Sequence, residues 1–119
     1  MQRAAFAATG LQDWDYLVHD VPPERLAEAV TLLRGGDYAG ANVTIPYKVR
    51  VMDFLDRVAG EARAVGAVNC IARREAELIG TNTDVVGVRS ALAAVGVGPV
   101  GASAVVLGAG GSARAVAAA

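Results

Sequence analysis

The sequence predicts an α/β protein with a mixed sheet. Two observations indicate this class: short apolar runs alternate with helical patterns over the first half of the chain, and two β-type runs are then separated by a tight turn. A third is a glycine-rich stretch near residue 110 that joins an apolar run to a helical pattern. The order of the elements therefore favours strands connected by helices.

The composition predicts a folded protein with a small-molecule partner. The chain is 54% hydrophobic and 19% charged, its net charge is -1, and it has no run of basic residues, so neither nucleic acid nor an anionic membrane is a predicted partner. No apolar stretch reaches the roughly 18 residues of a membrane span, and a single cysteine cannot form an internal disulfide. We expect a cytoplasmic protein. One histidine and one cysteine predict no metal site.

The first predicted elements are two helices and a strand. Residues 1–8 have a helical pattern that Gly10 ends, although no capping residue precedes it, which suggests sequence missing before it. Residues 14–18 have the composition of a short strand. A helix follows from Pro22 and Pro23 to the glycines at 35 and 36. Its apolar stripe consists of Leu26, Val30 and Leu33.

The middle of the chain predicts the rest of a mixed sheet. Residues 41–45 form a predicted strand that Pro46 ends. The helix predicted after it has an apolar face of Val51, Met52 and Leu55. Residues 67–72 and 77–81 are predicted to form a hairpin at an edge of the sheet.

A helix of about three turns is predicted from Asp84, and it is followed by a connection and a second unit. The apolar residues of this helix are Val85, Val88, Leu92 and Val95. Residues 96–101 have the composition of a connection between units, and residues 103–107 are predicted to be a buried strand. The last helix is predicted over residues 111–119.

The glycine-rich loop predicts a dinucleotide site of the Rossmann type. Its sequence fits G-x-G-x-x-A and consists of Gly108, Ala109, Gly110, Gly111, Ser112 and Ala113. The first glycine permits a tight turn, the next lets the backbone approach a pyrophosphate, and Ala113 allows the helix and strand to pack closely. The alternative is an ordinary turn between a strand and a helix in an alanine-rich protein.

The remaining sequence is too short for a complete cofactor domain. The first strand, helix and second strand of such a unit need roughly 30 residues, more than residues 103–119 provide. The residue that reads the ribose is expected about 20 positions beyond the loop. We therefore expect a piece of a longer polypeptide that is inactive alone.

Lys48 is the only lysine among the 11 basic residues. Arginine stays protonated in proteins, whereas a lysine amine can release a proton, so a single lysine in an arginine-rich set indicates a position where proton transfer matters. Chance is the alternative explanation on composition alone.

Three short motifs predict a polar site at the ends of the sheet elements. Thr44 and Lys48 lie in the first, Asn-Val-Thr-Ile-Pro-Tyr-Lys; Asn69 lies in Gly-Ala-Val-Asn-Cys; and Asp84 ends Gly-Thr-Asn-Thr-Asp. Amides, hydroxyls, an ammonium and a carboxylate suit a polyhydroxylated ligand, and a lysine facing a carboxylate could transfer a proton at an alcohol or carbonyl oxygen.

Each of these residues also has a purely structural explanation. Asp84 could be a helix N-cap, Lys48 a solvated charge, Asn69 a hydrogen-bonded residue at a sheet edge and Thr44 a strand residue. Two further polar residues are predicted to have no catalytic role. Cys70 is assigned to a core face with Val68 and Ala72, and His19 is expected to be structural or exposed.

Taken in order, the motifs N-V-T-I-P-x-K, A-V-N, N-T-D and G-A-G-G-S-A-R closely resemble those of the shikimate dehydrogenase family over nearly the whole chain. The resemblance implies that Lys48 and Asp84 form the catalytic pair, that Thr44 and Asn69 bind substrate hydroxyls, and that the segment from Gly108 to Arg114 binds NADP. It further implies reduction of 3-dehydroshikimate to shikimate with NADPH. The resemblance leaves open whether the protein forms a homodimer.

The resemblance also implies that the chain consists of two parts. Several features of the family are absent from the sequence. Residues 1–84 correspond to the substrate-binding domain, and residues 85–119 to the interdomain helix and the start of the NADP-binding Rossmann domain. The family's S-x-S-P loop, its basic motif for the NADP phosphate and its late glutamine are not in the sequence. Three alternatives stay open: a quinate or aminoshikimate dehydrogenase, a non-catalytic polyol-binding or regulatory domain, and a domain of a fused multifunctional polypeptide.

Overall fold

The computed structural model describes residues 2–98 and 100–119. These residues form five α-helices: α1 (Gln2–Ala8), α2 (Leu26–Leu32), α3 (Gly60–Val65), α4 (Asp84–Ala94) and α5 (Gly111–Ala118). Short 3-10 helices cover Pro23–Arg25, Leu33–Gly35 and Arg50–Phe54. The strands are β1 (Gly40–Asn42), β2 (Arg57–Val58), β3 (Cys70–Arg74) and β4 (Glu77–Thr81). Met1 of the first predicted helix and Pro99 of the predicted connection lie outside the described residues.

The four strands form one mixed sheet in the order β1-β3-β4-β2. β3 pairs antiparallel with both β1 and β4, whereas the short β2 runs parallel to β4. The predicted mixed sheet and the hairpin are confirmed, but the predicted position of the hairpin at a sheet edge is wrong. β1 and β2 each add to one side of the hairpin, so β3 and β4 form the centre of the sheet.

The helix stripe predicted from apolar spacing packs against this sheet. Leu26, Val30 and Leu33 are all buried, and they join a core that includes Ile71 of β3 and Leu78 of β4. The helix predicted around residue 51 is a 3-10 helix, and its Val51 is 1% exposed. The periodic patterns thus identified the residues that face the sheet.

A second, smaller core joins α5 to the rest of the molecule. It consists of Val65 at the end of α3, Ala67 before β3, Val85 of α4 and Ala115 of α5. Ala67 and Ala115 are fully buried. Two small residues at this contact allow α5 to approach closely to the segment that leads into β3.

Two predicted strands are absent from the described structure. Residues 14–18 and 103–107 lie outside the sheet. Val18 is 87% exposed and Leu107 is 95% exposed, so the predicted burial of the second segment is also wrong. A strand requires a neighbour that completes its backbone hydrogen bonds, and none of the described sheet pairings involves either segment.

The predicted core face around Cys70 is confirmed at Val68, which is fully buried, but it is wrong for the other two residues. Cys70 is half-buried and Ala72 is exposed, whereas the residue between them, Ile71, is buried at 2% exposure. β3 begins at Cys70, so the alternation of faces does not extend back to Val68. His19 is exposed and contacts Tyr38, as expected for a structural residue.

Candidate active site at the start of helix α4

Backbone hydrogen bonds hold the segment that carries Lys48 next to the start of β3. The Val43 amide donates to the carbonyl of Asn69 at 2.8 Å, and the Val68 amide donates to the carbonyl of Lys48 at 2.7 Å. Tyr47 contributes a third anchor because its hydroxyl donates to the Val21 carbonyl. Lys48 and Asn69 are therefore brought together although 21 positions separate them along the printed sequence.

Lys48 and Asp84 form an ion pair. Lys48 Nζ lies 2.8 Å from Asp84 Oδ2, and the two side chains are 12% and 28% exposed. A lysine that is so little exposed is not a solvated surface charge. Asp84 is the first residue of α4 rather than its N-cap, and its carboxylate is directed at Lys48. The geometry thus argues against both structural explanations for this pair.

Asn69 and Asn82 fix the position of Asp84. Asn69 Nδ2 donates to Asp84 Oδ1 at 2.7 Å, so both carboxylate oxygens of Asp84 have a partner. Asn69 also binds Thr83, through its amide nitrogen and its oxygen. The buried Asn82 accepts a hydrogen bond from the Asp84 amide and donates to the Ala67 carbonyl, both at 2.9 Å. The start of α4 is thereby tied to the segment before β3.

Thr44 is placed differently from the other predicted residues. It is exposed, and none of the side-chain hydrogen bonds found among the described residues involves its hydroxyl. Its backbone carbonyl accepts a hydrogen bond from the Tyr47 amide at 2.9 Å. Thr44 therefore lies on the chain segment of Lys48 but not in the hydrogen-bonded group around Asp84.

The glycine-rich loop has the backbone that a phosphate-binding turn needs. Gly108 has φ +125°, a conformation that side chains rarely allow, and Gly110 is the extended N-cap of α5. A Cβ atom at Gly108 or Gly110 would meet no atom within 4 Å, so the backbone here is open to an approaching ligand. The first amides of a helix lack intrahelical acceptors and favour anions. The residues fit a dinucleotide phosphate.

The first turn of α5 contacts the Lys48–Asp84 pair. Lys48 Nζ donates to Ser112 Oγ at 3.0 Å. Arg114, predicted to bind the cofactor, extends to the Gly66 carbonyl, with 3.4 Å between Nη1 and the oxygen. The glycine-rich loop and the candidate catalytic lysine are therefore neighbours in the folded chain.

The contacts of Asn82, Thr83 and Ser112 were not predicted from the sequence. Asn82 had a detectable signal, because an asparagine two residues before a helix commonly binds the backbone amide that follows. Ser112 had no such signal, since its partner Lys48 lies 64 positions away. The described residues contain no group of three or more His, Cys, Asp or Glu side chains that could hold a metal ion. No described helix has the length and apolarity to cross a bilayer.

Comparison with known proteins gives a consistent result. Residues 1–71 match the family model of the shikimate dehydrogenase substrate binding domain. A shikimate dehydrogenase (NADP(+)) of Symbiobacterium thermophilum is 52% identical over 117 residues, which are 98% of this chain and 40% of that protein. The chain thus spans about 40% of the length of the curated relatives it matches.

Two solved structures extend the comparison. Shikimate 5-dehydrogenase of Thermus thermophilus in complex with NADP(H) and shikimate has a TM-score of 0.85 and 41% identity, covering 95% of this chain and 42% of that one. The ligand-free 5-ketofructose reductase of Gluconobacter sp. strain CHM43 has a TM-score of 0.82 and 45% identity, covering 97% and 41%. With more than half of its length matched by the family model, this chain belongs to the shikimate dehydrogenase substrate-binding domain family.

Proposed function

We propose that the chain is part of an NADP-dependent shikimate dehydrogenase, which interconverts 3-dehydroshikimate and shikimate. The observation that carries the proposal is the 2.8 Å contact between Lys48 Nζ and Asp84 Oδ2 beside the glycine-rich loop. In this proposal residues 1–84 bind substrate and residues 85–119 begin the NADP-binding domain. Because the proposed substrate and cofactor are small soluble metabolites, we also propose a cytoplasmic location.

Lys48 is proposed to act as the general acid in reduction and as the general base in oxidation. NADPH, when bound, supplies the hydride that reduces the ketone carbon. The ammonium of Lys48 donates its proton to the ketone oxygen, on which negative charge develops during the reaction. Asp84 holds Nζ in place through the 2.8 Å ion pair before transfer.

The other predicted residues are assigned to binding. The backbone of Gly108, Ala109, Gly110 and Gly111 and the start of α5 at Ser112 and Ala113 would surround the cofactor phosphates. Arg114 at the same helix start would contribute a positive charge. Thr44 offers an exposed hydroxyl to the substrate. Asn69 would bind a substrate hydroxyl in exchange for one of its contacts with Thr83.

Replacement of Lys48 tests the proposal in the protein expressed from the complete reading frame that contains this chain. Because the general acid is removed, Lys48→Ala should lower kcat by about 10²-fold or more. The KM for 3-dehydroshikimate should change by less than about threefold. NADPH oxidation, followed by the loss of nicotinamide absorbance, measures both constants.

The control variant is Arg50→Ala, which removes an exposed positive charge two residues away. It should retain kcat, because Arg50 makes no contact with Asp84 among the described hydrogen bonds and ion pairs. Unchanged kcat in Lys48→Ala would exclude the assigned role of the lysine.

A second candidate function is reduction of a different polyhydroxylated ketone. It is favoured by the 45% identity to a structure named as a 5-ketofructose reductase. The ketones whose reduction gives quinate or aminoshikimate belong to the same group of candidates. Values of kcat/KM for these compounds and for 3-dehydroshikimate, measured in parallel on one preparation, decide between them: the highest value identifies the substrate.

A further inference from the structure

We propose that Ser112 is a positioning residue for Lys48, so that a residue of the cofactor loop helps to hold the proton-transferring amine. This inference rests on the proposed function. The inference goes beyond the proposed function because that function assigns the loop only to cofactor binding. The observation is the 3.0 Å hydrogen bond from Lys48 Nζ to Ser112 Oγ.

The position of Ser112 is set by close packing of the first turn of α5. A Cβ atom at Gly111 would lie 2.8 Å from Lys48 Cβ and 3.3 Å from Ala67 Cβ, so the helix start rests directly on the lysine side chain. One turn later, Ala115 is fully buried in the small core with Val65 and Val85. Ser112 is therefore presented to Lys48 by a packed helix rather than by a free loop.

Two acceptors bind two of the N–H donors of Lys48. An ammonium has three N–H donors. One is directed to Asp84 Oδ2 and one to Ser112 Oγ, at 2.8 and 3.0 Å. Among the described residues no further acceptor binds Nζ, which leaves the third donor for a substrate oxygen. Two fixed partners thus orient the proton that is transferred.

Ser112 and Asp84 differ in what they offer after the transfer. The proton moves from Nζ to the substrate oxygen and leaves a neutral amine with a lone pair. That lone pair is directed at the substrate oxygen, while the two other N–H groups still donate to Asp84 Oδ2 and Ser112 Oγ. If the amine rotates about the Cε–Nζ bond, the hydroxyl of Ser112 can donate to the lone pair, which an ionised carboxylate cannot do. Ser112 can therefore remain hydrogen-bonded to Nζ in both protonation states.

The kinetic test compares Ser112→Ala and Ser112→Thr in the protein expressed from the complete reading frame. Loss of a hydrogen bond to a charged group should lower kcat about tenfold in Ser112→Ala. The KM for NADPH should change by less than about threefold, because alanine retains the backbone amide that a helix start offers to a phosphate. Ser112→Thr retains the hydroxyl and should recover most of kcat. If Ser112→Ala raises the KM for NADPH and leaves kcat unchanged, Ser112 serves the cofactor alone and the proposal is wrong.

A spectroscopic test on the protein expressed from the complete reading frame does not depend on turnover. Labelling with ε-15N-lysine gives side-chain nitrogen signals, and the signal of Lys48 is identified by its absence from Lys48→Ala. Ser112→Ala should speed the exchange of the Lys48 ammonium protons with water by about threefold or more, because one of the hydrogen bonds that protect them is lost. The matched control is Ser90→Ala on the exposed side of α4, which should leave exchange unchanged.

The two tests separate the two proposals. An unaltered protein without turnover of any tested ketone would reject the proposed function. Equal exchange rates in Ser112→Ala and the unaltered chain would reject the Ser112 contact, whatever the activity of the protein.

Discussion

The polar side chains around the start of α4 form hydrogen bonds with one another. Asn82 binds the Asp84 amide, Asn69 binds the Asp84 carboxylate, and Lys48 completes the group. Asn69 and Asn82 are 9% and 4% exposed, so their amides must find partners within the protein. The described structure has no buried side-chain nitrogen or oxygen without a partner. Removal of one member should therefore leave the others unsatisfied.

Asn69→Ala should destabilise the chain by about 2 kcal/mol. The substitution removes the hydrogen bonds of the buried Asn69 to Thr83 and to the Asp84 carboxylate, and a hydrogen bond to a charged group contributes about 1.5–3 kcal/mol. The free energy of unfolding is measured by urea titration. Asn42→Ala, at an exposed asparagine whose side chain binds Tyr16, is the control and should change it by less than about 0.5 kcal/mol. Equal changes in the free energy of unfolding for the two substitutions would show that the hydrogen-bonded group around Asp84 does not stabilise the fold.

The sequence indicated the residues of the Lys48–Asp84 pair but not the contacts around it. Short motifs placed Lys48, Asn69 and Asp84 at the ends of elements, where α/β proteins bind ligands. Side-chain direction depends on tertiary packing. That is why the sequence could not indicate that Ser112 meets Lys48, nor that Thr44 stays outside the hydrogen-bonded group.

At the level of elements, α5 is distinguished by the closeness of its contact. Gly111 begins the helix against the side chain of Lys48, and Ala115 packs into the small core. α4, by contrast, carries Gly87 on an exposed position where a Cβ atom would meet nothing within 4 Å. Gly111 therefore lies in a tightly packed environment and Gly87 in an open one.

The substitutions Gly111→Ala and Gly87→Ala should have opposite effects. At Gly111 the added methyl would lie 2.8 Å from Lys48 Cβ and should cost about 1–3 kcal/mol through forced displacement. At Gly87 alanine should stabilise the chain by about 0.5–1 kcal/mol, because it has the higher helix propensity and adds no contact. Thermal unfolding followed by circular dichroism measures both. A Gly111→Ala chain as stable as Gly87→Ala would contradict the close contact.

The helices were predicted more successfully than the strands. Hydrogen bonds within a helix are local, so the spacing of Leu26, Val30 and Leu33 sufficed to identify α2 and its buried face. A strand depends on a distant neighbour. Residues 14–18 and 103–107 have suitable composition, but no described strand pairs with either.

For the molecule as a whole, Arg34 joins the helical layer to the sheet. Its guanidinium lies 2.5 Å from Asp56 Oδ2 and also donates to the carbonyls of Phe54 and Ala76. Asp56 in turn accepts a hydrogen bond from the Leu78 amide of β4 at 2.7 Å. The hydrogen bond from Arg34, and then that from Leu78, lowers the pKa of Asp56 below its ordinary value.

Acid should weaken the fold through Asp56. A carboxyl whose pKa is lower in the folded than in the unfolded chain stabilises the fold above its unfolded pKa of about 3.9. That contribution is lost as the pH falls through the lower, folded pKa. The urea concentration at the unfolding midpoint should fall between neutral and acid pH. This fall should be smaller in Asp56→Asn than in the unaltered chain. An identical drop in both chains would show that Asp56 plays no part in acid sensitivity.

The hydrogen bonds to Asp84 have a consequence for its chemical symmetry. The two oxygens of a carboxylate in water are equivalent and exchange by rotation. In this protein Oδ1 faces an amide that cannot change its charge, whereas Oδ2 faces an amine that can. The oxygens are therefore distinct by environment, and rotation would break both contacts at once. A change in the charge of Lys48 therefore acts first on Oδ2, while Oδ1 keeps the side chain bound to Asn69 beside the sheet.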